Sequence, residues 1–302
     1  MAFARARQAG RPWAPASRIR RLLGCALGGA LVFAAAPAFA QFQCDGAALK
    51  AATDAYIVAQ GTGDTTGIPM TLWLDYHEQM QEAAMATGVI SKPEKIDFHR
   101  SFYDTQSCTS FTEVIITDPA DPMVLGVQLQ ARGGQVGSMD ILVTNKVNGW
   151  LFNPASTLKY SQAETWSEIP PDQRDSRETI VAAADAYLDL FNKKDVAVPW
   201  GSPCERLEGG LYTGKGGPGV SLPEDSCNVG VPSGVPITDR QYIVDESLGV
   251  VTVISSFGKD QIPDAHTFRV EHGKLRYVHT ITVCKTFNCG FKMPDKFPSQ
   301  GG

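Results

Sequence analysis

Apolar residues recur at helical spacing in two places. Ile180, Ala183, Ala184, Tyr187, Leu188 and Phe191 fall on one face of a helix in the second half of the chain, and Leu49, Ala52, Tyr56 and Ala59 do the same in the first. Pro170-Pro171 closes the segment before the second helix, and Asp172 or Ser176 supplies its N-cap. Beyond each helix the pattern changes from helical to alternating. Residues 127–141 and 266–281 alternate apolar and polar positions about a central glycine, a hairpin signal, and strands at 111–117 and 250–257 precede the hairpins.

The two halves are related. Ala52-Thr53-Asp54-Ala55-Tyr56-Ile57 returns as Ala183-Ala184-Asp185-Ala186-Tyr187-Leu188, an offset of 131 residues that Asp64 and Asp195 keep. The chain beyond residue 40 therefore reads as two copies of one unit. The expected fold class is α+β: two tandem cone-shaped units, residues 41–165 and 166–302, each with helices packed on a curved antiparallel sheet around an apolar pocket. The repetition of Asp54 and Tyr56 as Asp185 and Tyr187 favours a role in the fold, with Tyr packing and Asp binding a backbone N–H.

A helix ending in DAYLDLFNKKD, followed by strands closing in FRVEHGKLRYVHTIT, resembles the nuclear transport factor 2-like (SnoaL-like) superfamily. The runs VPWGSPCERLEGGLYTG, RQYIVDESLGVV and PDAHTFRVEHGKLRYVHTITVC are similar to a family of secreted fungal and bacterial proteins of unassigned function, over nearly all of residues 44–289. The superfamily resemblance implies a conical pocket in each copy and a homodimer formed through the sheet faces. It also implies either a cofactor-independent isomerase, dehydratase, cyclase or lyase, or a pure binding module. Fold alone does not choose between them.

Composition and charge narrow the class. Of 302 residues 43% are hydrophobic and 20% charged, which excludes a disordered chain. The first forty residues carry six arginines and no acid. Arg18, Arg20 and Arg21 precede an apolar run, Leu22–Ala36, that ends in Ala38-Phe39-Ala40. This is the pattern of a secretory signal cleaved near Ala40, and it places the protein in the periplasm or outside the cell. The remainder is acidic, which argues against nucleic acid as partner, and no later run is apolar enough for a membrane anchor. Beyond Cys25 six cysteines remain, an even number that reads as three disulfides. Connectivity is open. Proximity favours Cys44–Cys108, Cys204–Cys227 and Cys284–Cys289, and the middle pair would staple a Gly/Pro-rich loop. No Cys/His spacing points to a metal, and no cofactor is expected.

Candidate chemistry concentrates in the second copy. Asp264, His266 and Phe268 share one strand face, and across the Gly273 turn Leu275, Tyr277, His279 and Ile281 share another. If both faces point into the cone, two imidazoles, a carboxylate and a phenol meet an apolar cavity. That set suits proton abstraction and return. His279 and His266 would move protons, Tyr277 or Arg206 would stabilise an oxyanion, and Glu208 or Asp264 would orient an imidazole. Tyr187, Phe268 and Tyr212 would bind substrate. Aligning Gly134 with Gly273 sets Asp140 in the place of His279. Asp97, His99, Arg100, Tyr103 and Asp104, between helix and strand, read as a solvated loop, with a lid or a second site as the alternative. The G-x-G-x-x-G match at 214–219 lacks its strand and helix, and no G-x-S-x-G or H-E-x-x-H is present. The expected function is an exported cofactor-independent lyase, isomerase or hydrolase acting on a small apolar molecule, such as a lignin- or plant-derived aromatic. The alternative is a non-catalytic ligand-binding or assembly module.

Overall fold

The computed structural model describes residues 44–214 and 227–290; the segment read as a secretory signal and most of the 214–219 run lie outside the described residues. Helix α1 spans Gly46–Thr62. Asp45 caps it, accepting from the N–H groups of Ala47 and Ala48 at 3.0 and 3.1 Å. Gly63 ends it with φ 72°, the left-handed conformation that glycine adopts at little cost. Strands β1 (Met70–Glu78), β2 (Gln81–Glu82), β3 (Phe98–Asp104), β4 (Thr109–Ile116), β5 (Met123–Arg132) and β6 (Gln135–Asn145) form one sheet in the order β2-β1-β6-β5-β4-β3. Helix α2 (Pro154–Ala163) follows. The pattern then repeats: α3 (Arg177–Leu190) with Ser176 as N-cap, then β7 (Trp200–Glu208), β8 (Leu211–Tyr212), β9 (Ile237–Asp245), β10 (Val250–Phe257), β11 (Ile262–Glu271) and β12 (Lys274–Thr282). Their order is β8-β7-β12-β11-β10-β9. The protein is thus α+β, with two tandem units of like topology. Each sheet is mixed rather than wholly antiparallel, because β1 joins β6 and β7 joins β12 in parallel.

Each unit buries a helix on one sheet face. Tyr56, Ala52 and Ala59 of α1 pack on Val114, Leu125 and Val127. Tyr187, Ala184 and Leu188 of α3 pack on Val253, Phe268 and Val278. The opposite faces meet each other: Phe111, Ile115 and Leu142 of the first sheet share a core with Ile254, Ala265 and Ile281 of the second. The two sheets of the chain thus face each other. Burying each such side chain contributes about 1.5–3 kcal/mol.

A pseudo-twofold axis relates the units. Asp245 accepts from the Tyr103 N–H at 3.0 Å, and Asp104 accepts reciprocally from the Val244 N–H at 3.1 Å. Asp104 also takes both arms of Arg177, at 3.1 and 2.6 Å. The 97–104 segment is therefore a strand at the junction of the units, not a solvated loop. Asp54 and Asp185 bind side chains rather than backbone: Asp54 pairs with Lys50 at 2.6 Å, and Asp185 with Arg240 at 2.7 Å and the Tyr242 hydroxyl at 2.8 Å. Disulfides join Cys44–Cys108, Cys204–Cys227 and Cys284–Cys289. Among the described residues no helix is long and apolar enough to cross a membrane.

Candidate functional site

The imidazoles of His266 and His279 lie on opposite faces of the second sheet. His266 stands opposite Thr280 in the β11–β12 ladder, and His279 stands opposite Thr267. Directly opposed residues share a face, so His266 shares its face with Thr280 and not with His279. A β-bulge between Leu275 and Tyr277 resets the alternation. Leu275 consequently joins the core under α3, while Tyr277, His279 and Ile281 turn toward the first sheet. The expected convergence of His266 with His279 and Tyr277 does not occur.

His266 faces the chamber between α3 and its sheet. Its Nδ1–H donates to Asp264 Oδ2 at 2.6 Å, both side chains being buried. Asp264 is held in turn by the hydroxyls of Thr282 and Ser255. This fixes the ring and its tautomer and leaves Nε2 without a partner among the described residues. His266 lines a cavity of about 40 Å³ together with Arg206, Glu208, Thr280, Phe191, Phe257 and Trp150.

Strand β7 brings in the charged pair. Arg206 lies beside Val278 and Glu208 beside Thr280 in the β7–β12 register, so both project into this chamber. Arg206 is only 3% exposed. It donates to Glu208 Oε1 and to the Gly230 carbonyl at 2.8 Å, and lies 5.5 Å from the Tyr187 ring centre. Burial works against its charge, but the Glu208 carboxylate outweighs this and holds the guanidinium above its ordinary value. Three buried polar atoms here lack hydrogen bonds: Arg206 Nε, Thr280 Oγ1 and Tyr187 Oη. Burial also pushes the Tyr187 phenol up, so it stays a neutral donor. Each unsatisfied group costs roughly 1–3 kcal/mol unless water or a ligand meets it.

In the first unit the corresponding positions are packed. By register, Leu125, Val127 and Ile141 stand where the second has Asp264, His266 and Thr280, and all three are buried core. Tyr76 and Glu78 replace Arg206 and Glu208 and bond each other at 2.5 Å. The Tyr56 hydroxyl donates to Gln60 at 3.2 Å, whereas Phe191 occupies the Gln60 position in the repeat and Tyr187 is left unpartnered. Under α1 these positions are packed core; under α3 they line a polar cavity.

His279 belongs to a second cluster, between the sheets. Its Nε2–H donates to Glu164 at 2.6 Å and its Nδ1–H to Glu113 at 3.2 Å. Burial would lower its pKa, but the Glu164 and Glu113 charges prevail and raise it to about 9. Burial raises and the His279 charge lowers the Glu113 carboxyl, with a net shift downward. The Trp166 ring stacks on Tyr277, lies 4.7 Å beneath the Arg100 guanidinium and donates from its indole N–H to Glu164 at 2.9 Å. The cluster is buried and both nitrogens of His279 are paired, while Arg100 Nη1 and Glu164 Oε1 have no hydrogen bond. It joins the units and has the character of a staple, so Tyr277 is not available to an oxyanion in the chamber.

Of the residues picked out by sequence, the structure brings together Asp264, His266, Arg206, Glu208, Tyr187 and Phe268, the last stacked 5.9 Å from the His266 ring. Tyr212 goes elsewhere, stacked on Tyr160 with centroids 4.1 Å apart. Sequence reasoning missed Thr280, Thr282 and Trp150. The threonines alternate with His279 and Ile281, so their period was visible but its phase was not. Trp150 arrives from the segment after β6, and no local signal announces it. Among the described residues no group of three His, Cys, Asp or Glu side chains is placed to hold a metal.

Comparison with known proteins adds one finding. Residues 173–282 match the model of a domain of unknown function (DUF8021). No curated protein matches the chain, and no solved structure does. The matched stretch runs from just before α3 to the end of β12, so the chain is similar to that domain over the segment that carries Asp264, His266, Arg206 and Glu208.

Proposed function

We propose that the second unit is the acid/base site of an exported, cofactor-independent enzyme acting on a small molecule. We read each half as a nuclear transport factor 2-like unit, a reading supported by the order of helix and strands. The three disulfides support an oxidising compartment, periplasmic or extracellular. The observation that carries the catalytic reading is the Asp264–His266 pair, whose imidazole lines a cavity with Arg206 and Thr280, each of which carries a buried polar atom without a hydrogen bond. In this reading His266 Nε2 takes a proton from the substrate and later returns it. Asp264 stabilises the imidazolium that forms. The Arg206 N–H and the Thr280 hydroxyl donate to the oxygen that gains charge. Glu208 is a positioning residue for Arg206. Phe191, Phe257 and Trp150 favour an aromatic ring beside the reacting group, in keeping with a plant- or lignin-derived compound undergoing elimination, isomerisation or hydrolysis.

A second reading, ligand binding without turnover, is favoured by the size of the cavity, about 40 Å³, enough for a few water molecules. Screening the oxidised protein against aromatic dimers and polyketide-like compounds by mass spectrometry separates the two. The enzyme reading expects a product that His266→Gln suppresses roughly 10²–10⁴-fold while ligand binding persists. Binding without product in both proteins would leave the non-catalytic reading.

A further inference from the structure

The pseudo-twofold axis gives the His279 cluster a counterpart. Arg100 pairs with Glu113 across β3–β4, and Gln241 pairs with Ile254 at the same place in β9–β10. His279 is flanked by Thr267 and Leu207; Asp140 is flanked by Gln128 and His77. The two sites thus share their backbone frame and differ in filling. In the first, the chain leaving α2 inserts Glu164 and Trp166. In the second, no described residue does so. A cavity of about 300 Å³ lies there, lined by His77, Met80, Gln128, Asp140, Leu142, Gln241 and Ile254.

The edges explain the difference. In the second unit the segment after β6 covers the β7–β8 turn: the Trp150 N–H donates to Thr282 at 3.2 Å and the Gly210 N–H to Leu151 at 2.8 Å. A Cβ on Gly209 would sit 2.1 Å from the Trp150 carbonyl, so this approach requires glycine. In the first unit the corresponding turn is Gln79-Met80. There the Gln79 side chain itself bonds the backbone of Val143, at 2.8 and 3.0 Å. A side chain thus satisfies the edge where the second unit uses a covering segment.

The chemistry of the walls selects an occupant. Asp140 is half-buried, held by the Ser138 hydroxyl at 3.0 Å, with His77 Nδ1 3.1 Å from its other oxygen. No Lys or Arg lines the cavity. Leu142 and Ile254 supply an apolar wall from each sheet. The equivalent space is filled by an indole whose N–H meets a carboxylate. We propose that this groove is a binding site for a small aromatic amine, its ring held between Leu142 and Ile254 and its ammonium paired with Asp140. It is separate from the chamber around His266.

Isothermal titration calorimetry with tryptamine as probe, on the disulfide-bonded protein, tests this. One saturable site is expected. Indole-3-acetate, with the same ring and the opposite charge, should give no heat. Asp140→Asn should weaken tryptamine roughly ten- to a hundredfold, the loss of one charge-assisted contact. Gln241→Trp, at an exposed position on the groove wall, should abolish binding, and His266→Gln should leave it unchanged. Near-UV circular dichroism checks that each variant is folded. Absence of tryptamine binding, equal affinity in Asp140→Asn, or loss in His266→Gln with retention in Gln241→Trp would each overturn the proposal.

Discussion

At the scale of single residues, two histidines on one hairpin have opposite environments. His266 has one carboxylate and an open nitrogen; His279 has a carboxylate at each nitrogen. The first arrangement suits proton transfer and the second suits a fixed charge. His279→Gln removes the charge that lies between Glu113 and Glu164, and breaking such a buried pair costs about 3–5 kcal/mol. The effect depends on pH. The folded-state pKa of His279 is about 9, above the ordinary 6.5, so its stabilisation is complete below pH 6.5 and is lost as pH rises through 9. Urea denaturation should show a wide stability gap between wild type and His279→Gln at pH 6.5 that narrows by pH 10. A gap that is constant or widens would contradict the staple role. Sequence alone set both histidines in one chamber, whereas the register puts them on opposite faces of the sheet. The side chains alternate strictly on either side of Arg276, yet the bulge there shifts the phase by one, and bulges leave little trace in an alternating pattern.

At the scale of elements, what was legible followed from period and punctuation. The α1 and α3 faces, the β11–β12 hairpin at Gly273 and the repeat all appear in the pattern of apolar positions, because one buried face per element imposes it. The parallel β1 and β7 were not legible. Their pairing spans more than sixty residues, with Met70 opposite Val136 and Leu275 opposite Trp200, and no local signal encodes such a partner. The β7 register is nevertheless what delivers Arg206 and Glu208 to the chamber. The disulfides stabilise these elements unequally. The cysteine separations are 64, 23 and 5 residues. If constraint of the unfolded chain dominates, replacing Cys44 and Cys108 by Ser should cost about 4 kcal/mol and replacing Cys284 and Cys289 about 2. Thermal denaturation of the two double variants checks the order; a reversed order would mean that native-state contacts outweigh loop closure.

At the scale of the whole molecule, duplication has produced a pseudo-dimer in one chain. Its sheets share a core, and reciprocal Asp104 and Asp245 bonds tie β3 to β9. The repeat in the sequence predicted two units, but not that their outer faces would be used up on each other. One cooperative unfolding transition is expected, with calorimetric and van't Hoff enthalpies in agreement. Ile115→Ala in the first unit and Ile281→Ala in the second should each lower that same transition, by about 2–5 kcal/mol. Two separable transitions would show that the halves fold independently. With the interface fixed in this way, one copy is free to lose its packed interior and carry a polar chamber while the other keeps the fold.

The different states of the two imidazoles are open to direct observation by nitrogen-15 NMR of the ring nitrogens. His279 should be doubly protonated at pH 7, since its pKa is raised to about 9. His266, when neutral, should carry its proton on Nδ1 and present a bare Nε2. A neutral His279 at pH 7, or a His266 with its proton on Nε2, would contradict the division between an imidazole with one open nitrogen in the chamber and a doubly paired one between the sheets.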